Sequence, residues 1–147
     1  MTALGTIGAV LAKKGGRVYS ISPGATVYEA IEKMAEHNVG ALLVMEGEQL
    51  VGIISERDYT RKVALFGKHS KDTLVKEISS EPRVTVTPES TVEDAMWLMT
   101  NHRVRHLPVI ENGKVIGVVS IGDLVNWIIQ SQAHVISQLT QYIQGQY

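Results

Sequence analysis

Two short strings carry the residues of this chain best suited to hold a polar ligand. Gly52-Ile53-Ile54-Ser55-Glu56-Arg57-Asp58 and Gly117-Val118-Val119-Ser120-Ile121-Gly122-Asp123 each close an apolar run with a hydroxyl and set a carboxylate three residues later. A strand that stops there and hands the chain to a helix leaves Ser and Asp at a turn where backbone N–H groups are also free. An ionised carboxylate is an acceptor only, so two adjacent hydroxyls can both donate to it, and charge-assisted bonds of this sort are the stronger kind. The pattern therefore suits a cis-diol. The competing reading is that Asp58 and Asp123 cap their helices, where Asp is strongly preferred, and the two roles are compatible.

The strings belong to a longer internal repeat. Pro23 falls on Pro88, an offset of 65, and at that offset Thr26-Val27 falls on Thr91-Val92, Ala30 on Ala95, Met34 on Met99, Val39 on Val104, Leu42 on Leu107 and Val44 on Val109. A unit this short cannot easily bury its own apolar faces, so the two copies are expected to share one core with approximate two-fold symmetry. In each unit an extended segment (Arg17 to Ile21; Arg83 to Val86) precedes a helix opened by Thr26-x-x-Glu29 or Thr91-x-x-Asp94. Val27, Ala30, Ile31 and Met34, and Val92, Ala95, Met96 and Met99, form the buried stripes. Two strands follow each helix, turning at Glu46-Gly47-Glu48 and at Asn112-Gly113, the second a strong hairpin signal. The fold class is α/β (α+β), two β-α-β-β-α repeats over 17–66 and 83–130. A lead-in helix over 1–16, a linker over 67–82 and a helical extension over 131–147 complete the plan. Gly15-Gly16 and Gly145 are expected to end the first and last helices. In the last helix Val125, Ile129, Ile136, Leu139 and Ile143 form a stripe interrupted by Gln132, which fits either packing within the chain or a subunit contact.

The 147 residues, 44% hydrophobic and 20% charged, describe an ordinary globular chain. A formal net charge of −1 offers no overall attraction to nucleic acid or to an anionic membrane, so any anion must be met by a local patch. The chain has no cysteine, which excludes disulfides, thiolate metal sites and Cys nucleophiles within it. No secretory signal and no bilayer-spanning run is read, so a cytoplasmic location is expected, or an organelle matrix after removal of a transit peptide.

Two units of this order, each with T/S-P before its first helix and G-h-h-S-x-x-D before its last, resemble the tandem cystathionine β-synthase (CBS) domain pair, or Bateman module. The strings Ser55-Glu56-Arg57-Asp58-Tyr59, Arg105-His106-Leu107-Pro108-Val109 and Ser120-Ile121-Gly122-Asp123-Leu124, with the Tyr142-Ile143-Gln144-Gly145 ending, are similar to those of small stand-alone bacterial CBS pairs and related plant organellar regulators. The resemblance implies a sensor that binds adenosine compounds such as AMP, ADP, ATP, NAD(H) or S-adenosylmethionine between its units and commonly dimerises. It implies that Asp58 and Asp123 take ribose hydroxyls, with Ser55 and Ser120 beside the ribose or phosphate. It also implies mixed clefts. One would combine Ser120 and Asp123 with Ser20, Ile21, Ser22 and Pro23; the other would combine Ser55 and Asp58 with Val84, Thr85, Thr87 and Pro88. For the apolar positions among these, core packing is the competing reading.

The copies differ where phosphates would lie. Val39-Gly40-Ala41 aligns with Val104-Arg105-His106, so small residues in one copy face cations in the other, and room is separated from charge. Arg105 suits bidentate phosphate contact and His106 can donate in either protonation state. Arg57 is a second phosphate candidate whose mate is Gly122, so the clefts are expected to differ in affinity. The competing reading for Arg57 and Arg105 is a solvated surface residue, the reading preferred here for Arg61, Lys62 and Arg103. Departures from the family pattern are Ala41-Leu42-Leu43, which lacks the proline present at Pro108, and Ser79-Ser80, where many relatives carry a methionine.

Three functions stand side by side. The first is a nucleotide-responsive regulatory module acting as a homodimer on an unidentified protein. The second is an interaction module whose clefts are vestigial. The third is an enzyme, for which the five histidines offer no metal-ligand spacing and the chain no Walker loop or nucleophile motif.

Overall fold

The computed structural model describes residues 4–15 and 17–143; Gly16 and Gly145 lie outside them. The elements run α1 (Ile7–Lys14), β1 (Ser20–Ile21), α2 (Val27–His37), β2 (Ala41–Glu46), β3 (Gln49–Ser55) and α3 (Glu56–Tyr59), which relaxes into a π-helical turn over Thr60–Ala64. A 3-10 turn at Ser70–Asp72 and α4 (Val75–Ile78) connect to α5 (Val92–His102), β4 (His106–Glu111), β5 (Lys114–Ser120) and α6 (Ile121–Ile143). Thr26 and Thr91 open α2 and α5 by accepting from the N–H groups of Glu29 and Asp94. Both helices end on a left-handed residue at the same repeat position, Asn38 and Arg103. In each, the first, fourth and eighth residues are buried: Val27, Ala30 and Met34; Val92, Ala95 and Met99. Asn112 (φ 53°) and Gly113 (φ 78°) both take the positive φ that a tight β4–β5 hairpin demands.

The first strand is where the copies diverge. In unit one β1 pairs in parallel with β2, and Leu43 N–H donates to Tyr19 C=O at 3.2 Å. In unit two the matching segment makes only the Val86–Val109 bridge. The residue at the position of Leu43 is Pro108, which has no N–H to give Val84, so the expected strand over Arg83 to Val86 shortens to a single bridge.

The expectation of one shared core is corrected by the packing: among the described residues there are two apolar clusters, one per unit. Each unit completes its own cluster by recruiting a helix from outside the repeat. In unit one Val75 and Ile78 of α4 cover the sheet. In unit two Ile7, Val10 and Leu11 of α1 do so, although α1 precedes unit one in the chain. The docking is equivalent backbone to backbone: Val27 N–H donates to Thr73 C=O (2.8 Å), and Val92 N–H to Gly5 C=O (3.0 Å). The two glycines of the G-h-h-S-x-x-D strings are the floors of these contacts. A Cβ on Gly52 would stand 3.1 Å from the Ser80 carbonyl oxygen, and one on Gly117 2.8 Å from Leu11 Cδ2. Gly117→Ala is expected to push Leu11 off β5 and lower stability by about 1–3 kcal/mol. Urea denaturation measures this, and an unchanged midpoint would show that α1 is not tightly seated.

Candidate functional site

The two Ser-Asp pairs are built alike. Each Ser closes its second hairpin strand and is the N-cap of the next helix, while each Asp stands at the third helical position. The competing capping reading is thus realised with a correction: Ser is the cap, and Asp is its partner. Asp58 N–H donates to Ser55 Oγ (3.2 Å), and Ser55 N–H (2.9 Å) and Oγ (3.1 Å) both donate to Asp58 Oδ2. In unit two Asp123 N–H donates to Ser120 Oγ (3.1 Å) and Ser120 N–H to Asp123 Oδ2 (2.8 Å). This reciprocal box satisfies orphan donors and fixes each carboxylate at the sheet's edge with acceptor capacity left on its outer oxygen.

The clefts in front of the two pairs differ. Before Ser55 and Asp58 lies a cavity of about 650 Å³ between the units, within the range of small-molecule sites. Its walls bring together Gly40, Ser55, Arg57 and Asp58 of the first unit with Val84, Arg105, His106 and Pro108 of the second. Arg57 reaches across, its Nη1 3.5 Å from the Arg103 carbonyl oxygen. Room and charge, read in the sequence as separated between the copies, line this one cavity. Gly40 adjoins the His106 ring: a Cβ there would lie 3.8 Å from it, at ordinary contact distance. The walls carry six Lys or Arg residues, namely Arg57, Arg61, Lys62, Arg83, Arg103 and Arg105, against the carboxylates of Glu56, Asp58 and Glu81. A chain of net charge −1 thus concentrates positive charge at one cleft, which favours an anion there.

Several expected wall residues stand elsewhere. Thr85 is exposed outside the cavity. Thr87 is folded into a turn with Ser90, whose Oγ accepts from Thr87 N–H at 3.0 Å, and the Pro88 carbonyl accepts from Gly8 N–H of α1. Docking of α1 on unit two holds that segment away from the cleft. Val39 packs against the first cluster and Ala41 pairs with Ser55 in the sheet. In the other predicted set Ile21 packs into the first cluster, and the Ser22 hydroxyl accepts from Gly24 N–H. Pro23 gives its carbonyl to Lys76 N–H and lines a separate depression beside α4. The Ser20 carbonyl accepts from Lys33 Nζ at 2.5 Å.

Two lysines belong to the picture that sequence reasoning left out. Lys62, read there as solvated, bonds to the Ile78 carbonyl (2.9 Å) and Ser80 Oγ (3.3 Å) and stands 3.3 Å from Asp58 Oδ1. Its position four residues after Asp58 was the signal for it. Lys14 of α1 places Nζ 2.6 Å from Asp123 Oδ2 and 2.7 Å from the Val118 carbonyl oxygen; no local spacing announces a contact across 109 residues. Among the described residues no group of three metal-ligating side chains forms a cation site, and no helix is long and apolar enough to cross a membrane.

His106 titrates below its ordinary value of 6.5: burial is the main cause, the Lys14 and Arg105 cations add to it, and the Asp123 carboxylate opposes. A folded-state pKa beneath the unfolded one means that the unfolded chain binds the extra proton first. The contribution is therefore complete above about pH 6.5 and is lost as pH falls through that value toward the folded one. Urea midpoints at stepped pH should fall more steeply below pH ~6.5 for the wild type than for His106→Gln; parallel curves would refute the assignment.

Comparison with known proteins agrees with this architecture. The family model described as the CBS domain matches residues 11–65 and 75–130. The mitochondrial CBS domain-containing protein CBSX3 of Arabidopsis thaliana is 50% identical over 127 residues, 83% of this chain but 62% of that protein, so the chain spans less than two thirds of that relative. The crystal structure of the CBS domain protein NE2398 is 52% identical with a TM-score of 0.81, covering 84% of this chain and 97% of that one. The CBS domain protein PAE2072 from Pyrobaculum aerophilum, solved in complex with AMP, is 26% identical with a TM-score of 0.72 over 80% of this chain and 88% of that one. The chain belongs to the CBS domain family, as a tandem pair of CBS domains.

Proposed function

We propose that this CBS pair is an adenosine-nucleotide sensor whose working site is the cleft beside Asp58. The observation that carries the reading is the single cavity that joins a cap-fixed carboxylate, an excess of cations and both units. Asp58 would take the ribose hydroxyls and Ser55 would lie beside them. Arg57 and Arg105 would meet the phosphate, with His106 as a further donor. The Val84 carbonyl, to which Pro108 has no N–H to give, would accept from the adenine amino group. AMP is the first candidate, supported by the AMP complex of a relative, with ADP, ATP and NAD(H) sharing the same ribose chemistry. The module acts as a homodimer on a partner protein in the cytoplasm or an organelle matrix. A ligand that touches both units favours the arrangement that brings them together, which is a population shift and involves no catalysis.

Thermal-shift titration with AMP, ADP, ATP, NADH and S-adenosylmethionine tests this, with deoxyadenosine monophosphate as control. A ligand at a hundred times its Kd should raise the midpoint by roughly 5–10 °C, and the deoxy control by much less. No shift at millimolar concentration would move the function to the alternative, a ligand-independent interaction module, which the exposed apolar stripe of α6 favours.

A further inference from the structure

The second Ser-Asp pair is matched to the first in backbone geometry but not in what stands in front of it. We infer that Lys14 is an internal occupant of the Asp123 cleft, so that the chain takes one nucleotide at Asp58 and is blocked at Asp123 by its own N-terminal helix. This rests on the nucleotide reading above.

The argument is geometric. Lys14 Nζ is held by two acceptors at once, Asp123 Oδ2 at 2.6 Å and the Val118 carbonyl at 2.7 Å. Asp123 Oδ2 already accepts from Ser120 N–H at 2.8 Å, and the ammonium bonds to that same oxygen, so the charge of the carboxylate that a diol would need is already countered by a cation standing against it. The cation is delivered by a well-anchored element. Ile7, Val10 and Leu11 of α1 are buried in the second cluster, and Lys13 Nζ donates to Gln130 Oε1 of α6. A tethered cation of this sort competes with any ligand intramolecularly, at an effective concentration on the order of millimolar.

The Asp58 pair differs in the way that matters. Its nearest cation, Lys62, sits on the same helical stretch at the longer distance of 3.3 Å and lines the open cavity. Clearing Asp123 requires only that the Lys14 side chain swing away at the last turn of α1, with the buried residues of the helix left in place. Lys14 is thus a specificity-determining residue that sets how many nucleotides the pair accepts.

Isothermal titration of AMP tests this on the wild type, on Asp58→Asn, and on Asp58→Asn combined with Lys14→Met or with Lys14→Arg. The expected result is one site in the wild type, very weak binding in Asp58→Asn, and recovery by at least about tenfold when Lys14→Met is added. Lys14→Arg keeps the cation and should not recover it. Thermal denaturation and the far-UV circular dichroism of each variant show whether the fold is retained. Two sites in the wild type, or equal or weaker binding after Lys14→Met, would overturn the inference while leaving the Asp58 site standing. No binding by the wild type would remove the nucleotide reading itself, and this inference with it.

Discussion

Asp58→Ala is expected to weaken AMP binding by at least about 100-fold, because the side chain would receive two ribose hydroxyls and bonds to a charged acceptor contribute about 1.5–3 kcal/mol each. The structure indicates why the residue can do this without reorganising. Its Oδ2 is pinned by the Ser55 N–H and hydroxyl, and Oδ1 faces the cavity wall near Lys62. The same pinning makes Asp58→Ala a blunt instrument, since the capping box is lost and about 1 kcal/mol of stability with it. Asp58→Asn is the sharper variant: its amide oxygen can still cap, while the charge and one acceptor are gone. Isothermal titration with AMP and with its 2′-deoxy and 3′-deoxy analogues separates the effects. In the wild type each missing hydroxyl should cost roughly tenfold or more, whereas in Asp58→Asn the analogues and AMP should bind alike. Analogues that bind the wild type as well as AMP does would show that Asp58 only caps its helix.

The repeat, its element order and the paired Ser-Asp strings were legible because they rest on local chemistry: a hydroxyl before a helix, an Asn-Gly turn and a stripe at helical spacing. What was not legible depends on where distant segments dock. Nothing within Ile7 to Lys14 says that this helix crosses to the second unit, yet that one choice has several consequences. It gives each unit its own core, holds Thr87 and Pro88 away from the cleft, and sets Lys14 on Asp123. The shortened first strand of unit two could have been anticipated, since Pro108 at the position of Leu43 removes a ladder donor by covalent structure alone. Lys62 illustrates the opposite error: its spacing from Asp58 was visible, but a charge on a surface helix was given the solvated reading that usually holds.

Ile136→Asp is expected to turn the proposed homodimer into a monomer, raising its dissociation constant by at least about 100-fold. The body-facing side of α6 is occupied by Leu124, Trp127 and Ile128, which pack into the second cluster. A second apolar side faces away, with Val125, Ile129, Ile136, Leu139 and Ile143 from 42% to 82% exposed. Counting Gln132, the positions 125, 129, 132, 136, 139 and 143 step by four and three in turn, the a/d period of a two-helix seam. Residues 124–143 contain no Lys, Arg, Asp or Glu, so a second copy of the helix meets no like charge. Gln132 is the polar interruption that sets register in such seams, because in a parallel pair each amide can bond its twin. The absence of cysteine allows a direct check of that geometry: Gln132→Cys should form a disulfide-linked dimer on mild oxidation if the helices run parallel in register. Sedimentation equilibrium reads the association itself. A wild type that stays monomeric at high micromolar concentration, or an Ile136→Asp variant that dimerises as the wild type does, would place the subunit contact elsewhere and leave the α6 stripe to a different protein.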